Sequence, residues 1–216
     1  MSILVLHEDR TMNRRDFFNS RADTWDDSCR HDHDRINEIL DLLPIRMGDA
    51  VMDVGAGTGV LIPFLLERIG AGGTITAIDM AEKMIRIAEE KFDCKNVRFV
   101  ADDVFTADLP SSAFDVIICY SVFPHFDDKR DAVRLLARYL KADGVIAICH
   151  SQGRDQINSM HKIKSPAVAH DHLPTALEIE EHLEAAGFET DTIIDTGRLF
   201  VLVGRKRHYG EYVTEV

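Results

Sequence analysis

The run Val51-Met52-Asp53-Val54-Gly55-Ala56-Gly57-Thr58-Gly59 constrains this chain more than any other stretch. A short apolar strand pattern, 50–54, leads directly into three alternating glycines. An apolar stretch, 60–69, follows with helical spacing, and its Pro63 falls in the first turn, where a missing N–H costs little. Glycines so placed let the backbone turn tightly and approach a ligand closely. Strand, glycine turn and helix together open a unit whose next strand must pair in parallel through a crossover.

The alternation repeats along the chain. A helical pattern starts at Asp34, carries Ile36, Ile39, Leu40 and Leu43, and stops at Pro44. Further strands are expected at 74–78, 97–101, 114–120 and 145–149, with helices at 81–92 and 128–140. A helix at 175–186 opens on the capping pair Thr175 and Glu178 and stops at Gly187. Strands at 190–194 and 199–203 close the chain. This order predicts an α/β fold: a doubly wound, seven-stranded, mostly parallel sheet with an antiparallel last strand. In such sheets ligands bind beyond the carboxyl ends of the strands, where the strand order reverses. The expected organisation is a lid segment over 1–33, one domain over 34–206 and a tail over 207–216. Residues 150–174 form an insertion longer than ordinary connections, and it starts at a strand carboxyl end.

Composition narrows the function. The 216 residues carry 25 Lys+Arg against 37 Asp+Glu, a net charge of −12. Such a surface repels phosphate backbones, so no nucleic-acid partner is expected. Apolar runs such as Ile3-Leu4-Val5-Leu6 are too short to cross a bilayer, and no membrane partner is expected. Cys29, Cys94, Cys119 and Cys149 make no C-x-x-C pair. With no secretory h-region in view, a reduced, cytoplasmic protein is the expectation. Both a monomer and a homodimer fit this reading.

Two acids sharpen the glycine signal. Asp79 ends the second strand, where a carboxylate accepts hydrogen bonds from ribose hydroxyls. Asp53 adds negative charge before the loop, which suits a cationic ligand. Val60 breaks the G-x-G-x-x-G spacing of dinucleotide binders.

On these segments, together with Phe99-Val-Ala-Asp-Asp103-Val104 and Phe114 to Tyr120, the chain resembles class I S-adenosylmethionine-dependent methyltransferases over about residues 34–150. Phe17-Phe18 and Trp25-Asp26 resemble the lead-in of the small-molecule, ubiquinone-methyltransferase-like branch. The resemblance implies a Rossmann-like methyltransferase fold, S-adenosylmethionine as cofactor, S-adenosylhomocysteine as product and a small-molecule acceptor as partner. It places Asp53 and the backbone of Gly55, Ala56, Gly57 and Gly59 at the methionine moiety. Asp79 would hold the ribose, Met80 would lie on the adenine, and Asp103 and Val104 would meet its edge. Cys119 and Tyr120 would stand at the methionine end, with Phe18 and Trp25 in a lid.

Methyl transfer needs alignment first, and a base only where the acceptor must lose a proton. The candidate catalytic residues are His125, in Phe123-Pro124-His125-Phe126, and His150, at a strand end. Arg154, Asn158, His161 and His172 of the insertion are candidate acceptor-binding residues, and Arg154, Asn158 and His161 share a face if 153–162 is helical. The same histidines with His170 and Asp171 raise a second possibility, a transition-metal site. A non-catalytic S-adenosylmethionine- or metal-binding protein and a nicotinamide-dependent oxidoreductase are the alternative functions.

Overall fold

The structure is a computed structural model that describes residues 12–207, with residues 163 and 164 described by backbone alone. The expectations for Ile3 to Leu6 and for the tail beyond Arg207 lie outside the described residues.

Seven strands form one sheet. They are β1 (Ala50–Val54), β2 (Thr74–Asp79), β3 (Val97–Ala101), β4 (Phe114–Tyr120), β5 (Leu140–His150), β6 (Phe188–Asp195) and β7 (Phe200–Lys206), in the order β3-β2-β1-β4-β5-β7-β6. The pairs β1–β2, β2–β3, β1–β4 and β4–β5 are parallel, while β7 runs antiparallel to both β5 and β6. The direction of winding reverses between β1 and β4, so the carboxyl ends of these two strands open the crevice in which this architecture binds ligands.

The helices are α1 (Arg14–Arg21), α2 (Trp25–Ser28), α3 (His33–Asp41), α4 (Ile62–Ile69), α5 (Glu82–Lys91), α6 (Lys129–Tyr139), α7 (Arg154–Lys164) and α8 (Ala176–Ala185). Strand residues alternate between two cores, as a period of two requires. Met52, Ile117, Cys119, Ile146 and Ile148 face α6 and α8. Val51, Val116, Ile118, Val145 and Ala147 face α3 and α4. A central sheet covered on both faces explains the near-continuous apolar runs of β4 and β5.

Local chemistry sets the ends of these elements. Asn13, Asp32, Asp128 and Thr175 cap α1, α3, α6 and α8 through their side chains, and Thr175 and Glu178 complete a reciprocal box. One expected boundary moves. Leu140 opens β5 and pairs with Phe114, five residues before the expected start at 145. The polar stretch Lys141-Ala-Asp-Gly reads as a turn, yet Lys141 is held there by its 2.7 Å ion pair with Asp115. Asp143 absorbs the irregularity with φ of 61°.

Candidate functional site

A cavity of about 290 Å³ lies at the switch point. Its floor is the glycine loop. Gly55 has φ of 70°, and a Cβ there would meet Val122 Cγ2 at 2.3 Å, so only glycine lets the loop pass under that side chain. Gly57 has φ of 55°, but its nearest neighbour would be Trp25 Nε1 at 3.9 Å. That space is left open between loop and lid. Gly59 packs inward against Ile62 and Phe92 and does not line the cavity.

Asp79 closes β2 beside this loop and lines the cavity. Its Oδ2 accepts from Gly57 N–H at 2.9 Å and its Oδ1 from Ala81 N–H at 2.8 Å. Burial raises its pKa, against the pull of those two donors and of His125. Asp53, on the strand that leads into the loop, does not line the cavity; it is 1% exposed, with Oδ2 lacking any hydrogen-bond partner. Burial, and then Asp79, push its pKa up to about 7. Neither carboxylate has an ion-pair partner among the described residues.

Met80, Asp103 and Val104 line the next part of the wall. Asp103 Oδ1 accepts from Phe105 N–H at 3.0 Å, an arrangement that stiffens the turn after β3. Tyr120 lines the opposite side, and its hydroxyl donates to Ser151 Oγ at 2.9 Å and pairs with His31 Nδ1 at 3.1 Å. Cys119 is fully buried in the sheet core and does not reach the cavity. Burial raises its thiol pKa well above the ordinary value, with Asp53 adding to the effect.

The N-terminal helices cover this cavity. Phe18 and Trp25 line it and pack edge-on, ring centroids 5.7 Å apart. Phe17 is buried beneath them and is a packing residue. Asp26 ties the segment down: Thr58 Oγ1 donates to it at 2.5 Å and Lys91 Nζ at 2.6 Å. Burial alone would raise its pKa, but these bonds hold it below the ordinary value.

The histidines divide. His125, His150 and His161 line the cavity. His125 and His161 lie with centroids 5.1 Å apart, and Phe18 packs on His125 at the same separation. His125 Nδ1 is 2.7 Å from Asp171 Oδ2. His150 is 3% exposed and its Nε2 has no hydrogen-bond partner. Burial, then His125 and His161, push its pKa down to about 3.

The rest of the insertion turns elsewhere. The expected helix forms as α7, but its shared face is not presented whole to the cavity. Arg154 pairs with Asp155 at 3.2 Å and Asp195 at 3.4 Å. Asn158 accepts from Leu173 N–H at 2.7 Å and donates to Leu173 O at 3.0 Å, so it fastens the loop after α7. His172 is exposed and outside the lining, as is His170. The structure gives the transition-metal possibility no support: among the described residues no group of three or more His, Cys, Asp or Glu side chains is arranged to hold a metal ion.

Sequence reasoning missed Arg14, His31 and Ser151, and it noted Asp171 only as an insertion acid. Arg14 and Asp171 meet across 157 positions, and no local pattern marks such a pair.

Solved structures share this α/β fold, among them one described as an S-adenosylmethionine-dependent methyltransferase. That structure, from Aquifex aeolicus, aligns with a TM-score of 0.69 at 23% identity, over 87% of this chain and 97% of that one. A putative methyltransferase in complex with the Haloferax volcanii Trm112 methyltransferase activator aligns with a TM-score of 0.73 at 17% identity, over 91% and 99%. The methyltransferase-domain family model matches residues 45–198, most of the chain, and the chain belongs to that family. A malonyl-[acyl-carrier protein] O-methyltransferase of Acetivibrio thermocellus is 35% identical over 132 residues, 60% of this chain and 46% of that protein. The chain spans about half the length of the curated relatives it matches. No helix among the described residues is long and apolar enough to cross a membrane.

Proposed function

We propose that this chain transfers the methyl group of S-adenosylmethionine to a small-molecule acceptor. The observation that carries the reading is the pair of buried carboxylates at the glycine loop. Asp79 lines the cavity where a ribose is expected, and Asp53 keeps an unpartnered oxygen and a pKa near 7. An unpaired buried acid favours a cationic ligand, which restores its ionisation. Pyrophosphate, as in a nicotinamide cofactor, would meet two carboxylates at that loop, and among the described lining residues Arg30, which is exposed, is the one Lys or Arg.

Asp53 and the backbone of Gly55, Ala56 and Gly57 would hold the methionine end. Asp79 would accept from the ribose hydroxyls, exchanging the Gly57 N–H for them. Met80, Asp103 and Val104 would hold the adenine, Tyr120 would stand at the methionine end, and Phe18 and Trp25 would close over the cofactor. Bound there, S-adenosylmethionine supplies an electrophilic methyl group on a sulfonium. The lid excludes water and the cavity walls align the acceptor, and positioning of this kind lowers barriers by roughly 7–11 kcal/mol. His125 and His161 stand at the acceptor end, and the names of the curated O-methyltransferase relatives support an acceptor of small-molecule type.

Calorimetry with S-adenosylhomocysteine and with nicotinamide dinucleotides tests the cofactor. Binding of the first alone, with product release over a panel of thiols, phenols, amines, carboxylates and carbon acids, is the expected result. Binding of a nicotinamide dinucleotide instead overturns the reading. Binding without turnover on any acceptor favours the non-catalytic alternative.

A further inference from the structure

Beyond the cofactor end, the cavity is organised around one imidazole. His125 sits in the 3-10 turn that follows β4, with its side chain 15% exposed. Its Nδ1 meets Asp171, whose side chain is 1% exposed. Arg14 grips the same carboxylate from the N-terminal helix: Nε lies 3.0 and 3.1 Å from its two oxygens, and Nη2 lies 2.7 Å from Oδ1. Arg14 Nη1 also reaches Asp127 at 2.7 Å. Burial disfavours the ionised form of Asp171, but the bonds from His125 and Arg14 outweigh it and hold its carboxyl below the usual range. An ionised carboxylate only accepts, so His125 Nδ1 donates to it, which leaves Nε2 as the nitrogen available to a ligand proton.

His150 lines the same cavity with a buried, unpartnered Nε2. It is neutral at any physiological pH, so it forms hydrogen bonds but takes no proton. A buried nitrogen without a partner is unfavourable, and a polar atom of a ligand relieves that cost. Charge narrows the ligand further. Asp79, Asp102 and Asp103 line the cavity, and among the described residues the sole Lys or Arg in its lining is the exposed Arg30. An anionic acceptor would meet like charge there.

The geometry points to an acceptor that is an uncharged, weakly acidic hydroxyl, a phenol or enol, with a second polar group beside it. His125 Nε2 takes the hydroxyl proton, Asp171 and Arg14 are its positioning residues, and His150 pairs with the neighbouring polar group. This rests on the methyl-transfer reading above. The O–H bond breaks, its electron pair stays on oxygen, and the proton moves to Nε2. Oxygen then forms the O–CH₃ bond as the S–CH₃ bond breaks with its pair left on sulfur. The imidazolium is stabilised by Asp171 until solvent removes the proton. A thiolate, free amine or carboxylate acceptor would need none of this apparatus. Because Arg14 comes from the lid, the base is fully positioned only with that helix in place.

The test has a binding arm and a kinetic arm. In the first, 4-nitrocatechol is added to the S-adenosylhomocysteine complex at a pH below its own ionisation, and its absorbance is followed. The expected result is the phenolate spectrum in the wild type and the neutral spectrum in His125→Gln. In the second, His125→Gln lowers kcat on the same phenol by about 10²- to 10⁴-fold, the range of general-base contributions. Asp171→Asn lowers kcat with little change in KM. It also moves the rising limb of the pH profile to lower pH, because a carboxylate that stabilised the imidazolium is gone. His125 also faces Asp79 at the end of β2, His150 of β5, His161 of α7 and, through Arg14, Asp127, so these charges stay constant between the two proteins. Arg14→Lys keeps the charge but loses the fork, and a fall of about three- to tenfold in kcat is expected even if Asp171→Asn does not fold. A neutral spectrum in the wild type overturns the proposal. So does phenol turnover that His125→Gln leaves within about threefold, or turnover confined to thiols, amines or carboxylates. Failure to bind S-adenosylhomocysteine at all counts against the methyl-transfer reading instead.

Discussion

Asp53 and His150 are both buried, and each resists its charged form, but they respond to pH in opposite directions. Asp53 has a folded pKa raised to about 7 from an ordinary value of 3.8. Between those values the unfolded chain has released a proton that the native state keeps, so its contribution to stability falls as pH rises from about 4 to about 7. Asp53→Asn therefore raises the unfolding free energy by about 1–3 kcal/mol at pH 8 and by little at pH 4, while weakening S-adenosylhomocysteine binding. Urea melts and calorimetry at both pH values check this, and equal effects at the two would refute it. His150 has a folded pKa lowered to about 3 from 6.5. Its contribution is complete above about 6.5 and is lost as pH falls toward 3, since the unfolded chain takes up a proton that the native site refuses. His150→Gln is expected to flatten the acid limb of the stability curve. An unchanged limb would show that the side chain is already charged or solvated in the native state.

Among the elements, the insertion depends on one amide. Asn158 of α7 satisfies both backbone groups of Leu173, itself fully buried, and Leu173 lies two residues from Asp171. Asn158→Ala leaves a buried N–H and C=O unpaired, and a loss of about 2–3 kcal/mol in thermal unfolding is expected. A loss under about 0.5 kcal/mol would mean that solvent reaches Leu173. The lid hangs on Asp26 in a different way. Its partners Thr58 and Lys91 belong to the glycine loop and α5, and its ion pair is half exposed. Asp26→Ala is expected to change global stability by under about 1 kcal/mol, as exposed pairs do, yet to weaken cofactor binding several-fold. Stability and affinity falling in proportion would make Asp26 a fold residue and not a lid fastening.

At the scale of the molecule, the cavity is walled by three parts of the chain: the N-terminal helices, the switch point of the sheet and the segment after β5. A ligand filling that cavity binds only the folded state. At a free concentration about 100-fold above its Kd, S-adenosylhomocysteine should add about 2.7 kcal/mol to unfolding. Slower proteolysis within 12–33 is expected alongside, because those residues form the cover. Stabilisation without protection of that segment would show a ligand seated on the sheet alone.

The sequence by itself determined the sheet and much of the cavity lining at its switch point. Strand and helix periods, glycines at 55, 57 and 59, and acids closing strands are local signals, and each element's ends follow from caps and turns a few residues away. Strands β1, β3 and β4 fall where the pattern places them for that reason. The early start of β5 was not legible, because Leu140 joins the sheet by pairing with Phe114 against its own polar flank. The other end of the cavity was legible only as a collection of histidines. Helical spacing put Arg154, Asn158 and His161 on one face, but spacing does not say what that face meets. Only the tertiary structure turned Asn158 to Leu173, Arg154 to Asp195 and Asp171 to His125. It also supplied Arg14 from the opposite end of the chain. Charge partners at such separations are set by which elements pack together, and that is decided by burial over the whole sheet and not by any neighbour in sequence.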